Sequence, residues 1–296
     1  MNDAAVKQTR AALRKVQEHL LQAQFGLGAQ HEAVGMVDVI HHPENALSHF
    51  NYVTPRRNTA WVSGSYVKQG LSRLRELDRE LRVCYIEALF PPIFARTLRD
   101  LGLEVVRETP LMIYYAGGFD GAAPAAPEID LPASAKLEMV RDQRGVKQWR
   151  QVWDRVFADD LTHGLEPISA DGALGAIRRG SQCDIVLTLD QTPVGVVRLT
   201  LQEATKSGHV VACVLTDEAR TTDNMRLLVS AALRSALERG CEVVFAPGDN
   251  EASRAACRSL GFVDVSSVIC YSAPDEKTDE ISDDERLVQP VLALRG

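Results

Sequence analysis

Side chains that could take up a proton surround one apolar segment in the second half of the sequence. His209 opens this segment, and three carboxylates lie near its two ends: Glu203, Asp217 and Glu218. A carboxylate or a neutral imidazole held beside a substrate can act as a general base. Each of these groups is equally well explained as a solvated charge at the end of a strand. Cys213 offers a nucleophile, although the sequence places no histidine beside it.

The cysteines and histidines do not predict a metal site. The six cysteines contain no CxxC or CxxxC pair, and thiol and imidazole groups are not clustered at the spacing of zinc ligands. The histidine pair His41-His42 precedes Pro43, so we interpret it as part of a solvated turn. The N-terminus lacks the layout of a secretory signal. We therefore expect buried free thiols and a cytoplasmic location.

Composition and charge exclude several classes of protein. The 296 residues are 45% apolar and 25% charged, which excludes a disordered or fibrous chain. The apolar runs are far shorter than the roughly 20 residues that cross a bilayer. The formal charge is −7, and residues 275–286 contribute −5 of it, with seven acidic side chains against two basic ones. The remaining body is near neutral and has no basic stripe, so we expect no nucleic-acid partner and no membrane contact.

A stretch rich in Gly, Ala and Pro divides the chain. Without apolar periodicity it cannot bury a face, and it predicts a linker over residues 117–133. The front part is then residues 1–116, the rear part is residues 134–273, and an acidic tail covers residues 274–296. Hydrophobic periodicity predicts helices and strands alternating in both parts. The predicted helices are 4–24, 67–79, 91–101, 143–157, 173–178, 225–239 and 250–260, and the predicted strands are 58–62, 82–87, 105–106, 111–115, 183–189, 194–201, 209–215, 241–246, 263 and 269–271.

The two parts repeat the same order of elements. Leu101-Gly102-Leu103 and Leu260-Gly261-Phe262 lie 159 residues apart. At the same offset, the apolar residues 83–86 fall on residues 242–245. A shared offset over helix, strand and glycine indicates an internal duplication.

This repeat resembles the GNAT (N-acetyltransferase) superfamily. The residues that carry the resemblance are Asn51–Pro55, Leu98–Glu104 and Glu108–Met112 in the front part, and Val214–Arg220 and Asn250–Phe262 in the rear part. The resemblance implies an α/β (α+β) fold with two tandem GNAT-like domains, each a mixed, mostly antiparallel sheet flanked by helices. It also implies acetyl-CoA or another acyl-CoA as cofactor and an amine of a small molecule or peptide as acceptor. The front domain resembles the degenerate N-terminal GNAT-like domains that precede many acetyltransferase domains.

The resemblance also implies a cofactor site at the end of one strand. In the family, main-chain groups of this strand bind the pantetheine arm, and a glycine-rich loop at a helix start binds the pyrophosphate. The matching positions here are Val214, Leu215, Thr216, Arg220, Thr221, Thr222 and Asn224. This sequence departs from the family because Asp223 and Met225 occupy both glycine positions. Asp223 also fits an ordinary N-cap for a helix that begins at Asn224.

A second family position is a tyrosine that protonates the departing thiolate. The matching residue is Cys257, whose ordinary pKa of about 8.5 is below the value of about 10 for tyrosine. The alternative is a small buried helix residue. Asn250 and Ser253, on the same helix, match positions that bind the CoA arm, and Asn250 is equally explained as an N-cap. Glu218 is our candidate for the general base.

Two functions remain open on this evidence. The first is an acyl-CoA-dependent N-acyltransferase whose rear domain holds the cofactor. The second is a non-catalytic GNAT-like module that senses acyl-CoA or binds another protein, which Asp223, Met225 and Cys257 favour. The front part could also hold the working pocket, through Ser63-Gly64-Ser65 at a helix start. The apolar residues 287–294 could dock as an added strand.

Overall fold

The computed structural model describes residues 3–57, 59, 61–119, 130–157, 170–248 and 250–274. Most of the predicted linker and almost all of the acidic tail, including residues 287–294, lie outside these ranges. Among the described residues, no helix has both the length and the apolar character needed to cross a membrane. In the same part of the chain, no group of three or more His, Cys, Asp or Glu side chains could hold a metal ion.

Both parts combine helices with strands. The helices are α1 (Asp3–Gly26), α2 (Gly64–Glu76), α3 (Pro92–Asp100), α4 (Gln143–Val156), α5 (Ala170–Arg178), α6 (Thr222–Glu238) and α7 (Glu251–Ser259). The strands are β1 (Gln30–Val34), β2 (Val37–His41), β3 (Tyr52–Pro55), β4 (Arg82–Ile86), β5 (Glu104–Tyr115), β6 (Ala135–Met139), β7 (Gln182–Leu189), β8 (Thr192–Gln202), β9 (Ser207–Leu215), β10 (Val243–Pro247) and β11 (Val263–Ser272).

All of these strands belong to one sheet, and the two parts exchange strands at its centre. The order is β1-β2-β3-β4-β11-β5-β10-β9-β8-β7-β6. The last strand of the rear part, β11, therefore lies between β4 and β5 of the front part. In return β5 lies between β11 and β10. Each part supplies a strand that the other needs to continue its sheet.

The exchanged strands follow the offset predicted from the sequence. Helices α3 and α7 begin 159 residues apart, and so do β5 and β11. The antiparallel pairing of β5 with β11 has two irregularities, which leave Val106 and Val265 without a direct partner. These two bulge residues are also 159 positions apart, so the interface is nearly symmetric about its own middle. This agrees with an internal duplication.

The hydrophobic core crosses the boundary between the two parts. Val243 and Phe245 of β10 are buried in the core of the front part, together with Tyr271 of β11. Met112 and Tyr114 of β5 are buried in the core under α6 and α7. A third cluster lies between α4 and the opposite face of β7, β8 and β9. Burial of this apolar surface stabilises the two parts as one body.

Several local predictions differ from the structure. Residues 59, 61 and 62 form no strand, and the predicted strands at 105–106 and 111–115 are one strand, β5. The hairpin of β1 and β2 was not predicted, and the buried His41 ends β2 rather than lying in a solvated turn.

The prediction of free thiols is wrong for one pair of cysteines. Cys84 and Cys270 lie opposite each other on β4 and β11 and form a disulfide. The strand exchange brings them together from positions 186 residues apart, which no local pattern could reveal. The remaining cysteines are free thiols: Cys183, Cys213, Cys241 and Cys257.

Candidate functional site

Two parallel strands of the rear part separate after a short stretch of pairing. Strands β9 and β10 pair at three positions, of which His209 opposite Phe245 is the last. Beyond it, β9 continues to Leu215 along β8, while β10 ends at Pro247 beside β5. We call the space between β10 and residues 210–215 the strand gap. Since the ladder with β10 has ended there, main-chain groups of β9 on that side can serve a ligand.

A bulge in β9 lies directly beyond the last parallel pair. Arg198 of β8 pairs with Ala212, and Leu199 pairs with Val210, so Val211 is the extra residue. A bulge bends its strand and increases the local twist, and bulges are over-represented next to active sites. Its position here fits the separation of β9 from β10.

Side chains of β9 face two different layers beyond the bulge. Leu215 is buried in the core under α6, and Cys213 packs against that core. Ala212 is buried in the cluster under α4, and Val214 packs against it. The predicted residues Val214 and Leu215 therefore border the strand gap from opposite faces of the sheet.

The turn after β9 leads into α6 through an N-cap that differs from the prediction. Thr221, not Asp223, caps the helix: its hydroxyl accepts a hydrogen bond from the Asn224 N–H (3.2 Å). The Asn224 amide in turn donates to the Ala219 carbonyl (2.8 Å). The sequence does not distinguish the two residues, because threonine and aspartate are both favourable at an N-cap. The N–H groups of Thr222 and Asp223, the two exposed residues that begin α6, have no partner inside the helix and can meet an anion.

The other predicted loop residues lie around the same helix start. Arg220 is exposed and its guanidinium is 2.9 Å from the Asp217 carboxylate. Thr216 is buried at the end of β9. The exposed Asp223 carboxylate lies in the first turn of α6, where it favours the helix dipole but repels an anionic ligand.

Met225 closes the α6 side of the strand gap. Its side chain is buried, and its Sδ atom lies 3.2 Å from the Cys213 Sγ atom. A ligand that lies along β9 on this side must displace the two side chains. The structure thus explains why a glycine would be favoured at position 225 in a protein that holds a ligand there.

Three predicted residues lie at helix α7, and one of them, Asn250, is its N-cap. The Asn250 Oδ1 atom accepts a hydrogen bond from the Ser253 N–H (2.7 Å), so the side-chain oxygen of Asn250 already has a hydrogen-bond partner within the protein. Cys257 is completely buried in the core next to α6. Burial raises the pKa of its thiol to about 12, and the nearby Asp264 carboxylate adds to this effect. Transfer of a proton from Cys257 to a thiolate of ordinary pKa is therefore uphill, contrary to the comparison made from standard values.

The candidate bases differ in position and in protonation. Glu218 is exposed, and its own main-chain N–H lowers the pKa of its carboxyl, so it is ionised at neutral pH and is a weak base. His209 lies at the vertex of the strand gap, with its ring stacked on Phe245 (4.3 Å between centroids). Burial holds the pKa of His209 well below its ordinary value, and the imidazole is neutral.

The front part supports the floor of the site through α1. The ring of His19 bridges two strands, with Nδ1 2.8 Å from the Ser207 Oγ and Nε2 3.0 Å from the Thr200 Oγ1. These hydrogen bonds join β8 to β9, and the same ring packs edge to face on Phe245 of β10 (5.1 Å between centroids), so α1 contacts all three strands close to the point where β9 and β10 separate.

Sequence reasoning missed an aromatic series on α4. Trp149, Trp153 and Phe157 are four residues apart, which places them on one helical face. They lie over the α4 face of β8 and β9, within or against the same cluster as Val214. Their regular spacing was the signal that could have identified them.

The comparisons with known proteins agree with this architecture. Residues 146–262 match the model of the acetyltransferase (GNAT) family. No curated protein matches the chain. A GCN5-related N-acetyltransferase from Kribbella flavida is similar over 88% of this chain and 95% of its own, with a TM-score of 0.69 and 16% identity. One from Sphaerobacter thermophilus is similar over 90% of both chains, with a TM-score of 0.59 and 13% identity.

A third solved structure matches both parts of the chain. It is a tandem GNAT protein from the clavulanic acid biosynthesis pathway, similar over 80% of this chain and 78% of its own, with a TM-score of 0.55 and 15% identity. At these identities the likeness concerns the fold, and the predicted fold class is confirmed.

Proposed function

We propose that this protein is an N-acyltransferase that uses acyl-CoA, because residues 146–262 match the model of the acetyltransferase (GNAT) family. Acetyl-CoA is the first acyl donor to test, and the acceptor is an amine of a small molecule or peptide. The observation that carries the proposal is the separation of β9 from β10 after the pair His209–Phe245, with the bulge at Val211 directly beyond it.

The residues present fit acyl-CoA if one side chain moves. The free edge of β9 at Val214 and Leu215 would hold the amide groups of the pantetheine arm. The first turn of α6, with Thr221, Thr222 and Arg220, would hold the phosphates, because helix starts present free N–H groups and positive potential. Met225 must turn away from Cys213 to admit the arm.

Bound acyl-CoA supplies a thioester carbonyl that an amine can attack. A new C–N bond forms at this carbon and the C–S bond breaks. The amine proton passes to Glu218 or to water, and the thiolate is reprotonated by solvent or by Cys257. Since Glu218 is a weak base and Cys257 a weak acid, the main contribution of the protein is to position the amine against the thioester.

A thermal-shift titration combined with a thiol-release assay tests the proposal. Ligand at about 100 times its Kd stabilises a protein by about 2.7 kcal/mol, so acetyl-CoA should raise the Tm. Thiol release should then depend on an added amine. The absence of a shift at millimolar acetyl-CoA and CoA would exclude cofactor binding and with it the proposal.

The second candidate is a non-catalytic acyl-CoA sensor. The contact between Met225 and Cys213 and the Asp223 carboxylate at the helix start favour it. A rise in Tm with acetyl-CoA but no thiol release across a panel of amines would support this alternative.

A further inference from the structure

Three turns of the rear part meet at the end of the sheet that lies away from the strand gap. One turn precedes β7, one joins β8 to β9, and one precedes β10. Together they line a groove of about 720 Å³ formed by residues 179–181, 201–203, 206 and 239–241, which we call the basal groove. Lys206 and Val214 are eight residues apart along β9, about 25 Å in a strand. The basal groove is therefore separate from the candidate cofactor site.

Each of the three turns contributes one cation to the basal groove. The cations are Arg179, Lys206 and Arg239, and all three side chains are exposed. The one acidic side chain of the lining is that of Glu203. Three cations and one carboxylate give the lining a net charge of +2. This positive charge is local, because the formal charge of the whole chain is −7.

The protein itself neutralises these cations only in part. The Lys206 Nζ atom lies 3.0 Å from a carboxylate oxygen of Glu242. Arg239 donates a hydrogen bond to the Ser235 carbonyl (2.9 Å). Within the described ranges, no carboxylate forms an ion pair with Arg179 or Arg239. Both guanidinium groups can therefore still bind the oxygen atoms of an anion.

The helix ends beside the basal groove are closed by main-chain hydrogen bonds. The Gly180 N–H donates to the Ile177 carbonyl (3.0 Å), and the Gly240 N–H donates to the Leu237 carbonyl (2.9 Å). Both glycines have positive φ, as is common where a helix ends. These bonds satisfy carbonyl groups in the last turns of α5 and α6, which would otherwise repel an anion. They also fix the turns before a ligand arrives, which lowers the entropic cost of binding.

Uncharged side chains complete the lining of the basal groove. Leu201 is half-buried, and Cys241 is buried. Burial raises the pKa of the Cys241 thiol to about 11, so the thiol is neutral at neutral pH. A cavity of this volume can hold a small organic ligand. The ligand that fits this lining combines negative charges with a compact uncharged body.

We propose that the basal groove is a second binding site, which takes a small molecule with at least two negative charges. Phosphate esters and polycarboxylates share this chemistry, and guanidinium and ammonium groups bind both. The proposal goes beyond acyl transfer, because the site uses neither the strand gap nor the start of α6.

Calorimetric titration of the full chain tests the proposal, with inorganic pyrophosphate and citrate as separate probes. We expect at least one probe to bind saturably at about 0.15 M ionic strength, and the probe that binds more tightly identifies the preferred anionic group. Arg179→Gln combined with Arg239→Gln should weaken this binding at least about tenfold, because charge-assisted hydrogen bonds are lost. Arg220→Gln is the matched control: it removes an exposed guanidinium near the start of α6, and it should leave the affinity unchanged.

Glu203→Gln tests the site in the opposite direction. It removes the negative charge of the lining, so it should tighten the binding about two- to threefold. Circular dichroism checks that each variant is folded. The proposal is overturned if neither probe binds at millimolar concentration, or if the Arg179→Gln/Arg239→Gln variant binds as tightly as its parent. The rise in Tm with acetyl-CoA should be equal in the parent and in this double variant, so the result for the basal groove is independent of the result for the acyltransferase.

Discussion

The side chain that most directly controls cofactor access is Met225. It is the one buried residue in the first turn of α6, and its sulfur contacts Cys213 across the side of the strand gap where the pantetheine arm would lie. We expect Met225→Ala to bind acetyl-CoA about tenfold more tightly, equivalent to about 1.4 kcal/mol. The same change should lower the free energy of unfolding by about 2–3 kcal/mol, because it leaves a cavity. Calorimetric titration and urea denaturation measure the two effects.

Leu228→Ala is the matched control for Met225. Leu228 is buried in the same core one turn further along α6, so its truncation should cost similar stability with no gain in acetyl-CoA affinity. If Met225→Ala binds no more tightly than the parent protein, Met225 does not obstruct the site.

The buried ion pair next to the Trp149 ring also permits a residue-level prediction. Asp184 and Arg198 are both buried and directly paired across β7 and β8. Removal of one partner leaves an uncompensated buried charge, so we expect Arg198→Met to lower the free energy of unfolding by about 3–5 kcal/mol. Urea denaturation checks this value. The exposed pair Lys136–Glu138 on β6 provides the contrast, because Lys136→Ala should cost less than about 1 kcal/mol.

A double variant tests whether the unpaired charge causes the loss of stability. Asp184→Leu combined with Arg198→Met should recover part of the stability lost in Arg198→Met, since no unpaired charge remains. A double variant that is less stable than Arg198→Met alone would contradict this account of the pair.

The sequence predicts the backbone conformation well at positions whose φ and ψ angles favour one residue type. The helix-ending glycines Gly102, Gly240 and Gly261 all have positive φ, as the left-handed end of a helix requires. Where several residue types suit a position, the sequence was ambiguous, as with the choice of Thr221 over Asp223 as N-cap. The burial of Cys257 and the resulting rise in its pKa depend on the packing of α7 against α6, which residue types alone do not reveal.

At the scale of elements, α1 makes the stability of the sheet dependent on pH. Burial lowers the pKa of His19 from its ordinary value to about 4, so the native state holds the neutral ring and the unfolded state binds the proton more readily. The stability is therefore fully present above about pH 6.5 and is lost as the pH falls toward 4. The shift amounts to about 3 kcal/mol, and His209 acts with the same sign. Urea denaturation between pH 7 and pH 4 measures this slope.

Replacement of the ring identifies the source of this pH dependence. His19→Gln keeps a hydrogen-bonding side chain between β8 and β9 but cannot be protonated, so the slope should become shallower. His31→Gln, which replaces an exposed histidine on β1, should leave it unchanged. Identical slopes for the parent and His19→Gln would exclude the buried ring as the cause.

Elements with strong local signals were predicted closely. Helix α4 was expected over residues 143–157 and covers Gln143–Val156. The two strands of the β7–β8 hairpin were expected over residues 183–189 and 194–201, and in the turn between them Asp190 and Gln191 have positive φ, as tight hairpin turns require. The short strands β1 and β2 were missed, because the half-exposed segment Gln30–Val34 has no alternation of apolar and polar residues strong enough to predict a strand.

At the scale of the whole molecule, pairing between distant segments determines the order of the strands in the sheet, which the sequence does not reveal. The duplication was visible because helix, glycine and strand recur at one offset. The sequence predicted two neighbouring sheets, yet β5 and β11 each continue the sheet of the other part. An apolar segment such as Leu111–Tyr114 of β5 satisfies either arrangement, because a neighbouring sheet from either part can bury its side chains. The disulfide between Cys84 and Cys270 follows from this exchange.

The exchange predicts that the rear part does not fold stably by itself. Without β5, a fragment of residues 130–274 would expose the edges of β10 and β11 and the side chains of Val243 and Phe245, which the front part buries. Unpaired, apolar strand edges promote aggregation. Co-expressed fragments 1–119 and 130–274 should instead form a 1:1 complex, even under reducing conditions, because β5 and β11 pair over most of their length. Size-exclusion chromatography and circular dichroism distinguish these outcomes. A rear fragment that is monomeric, folded and able to bind acetyl-CoA alone would show that the exchanged strand is dispensable, and that the site belongs to the rear part and not to the two parts together.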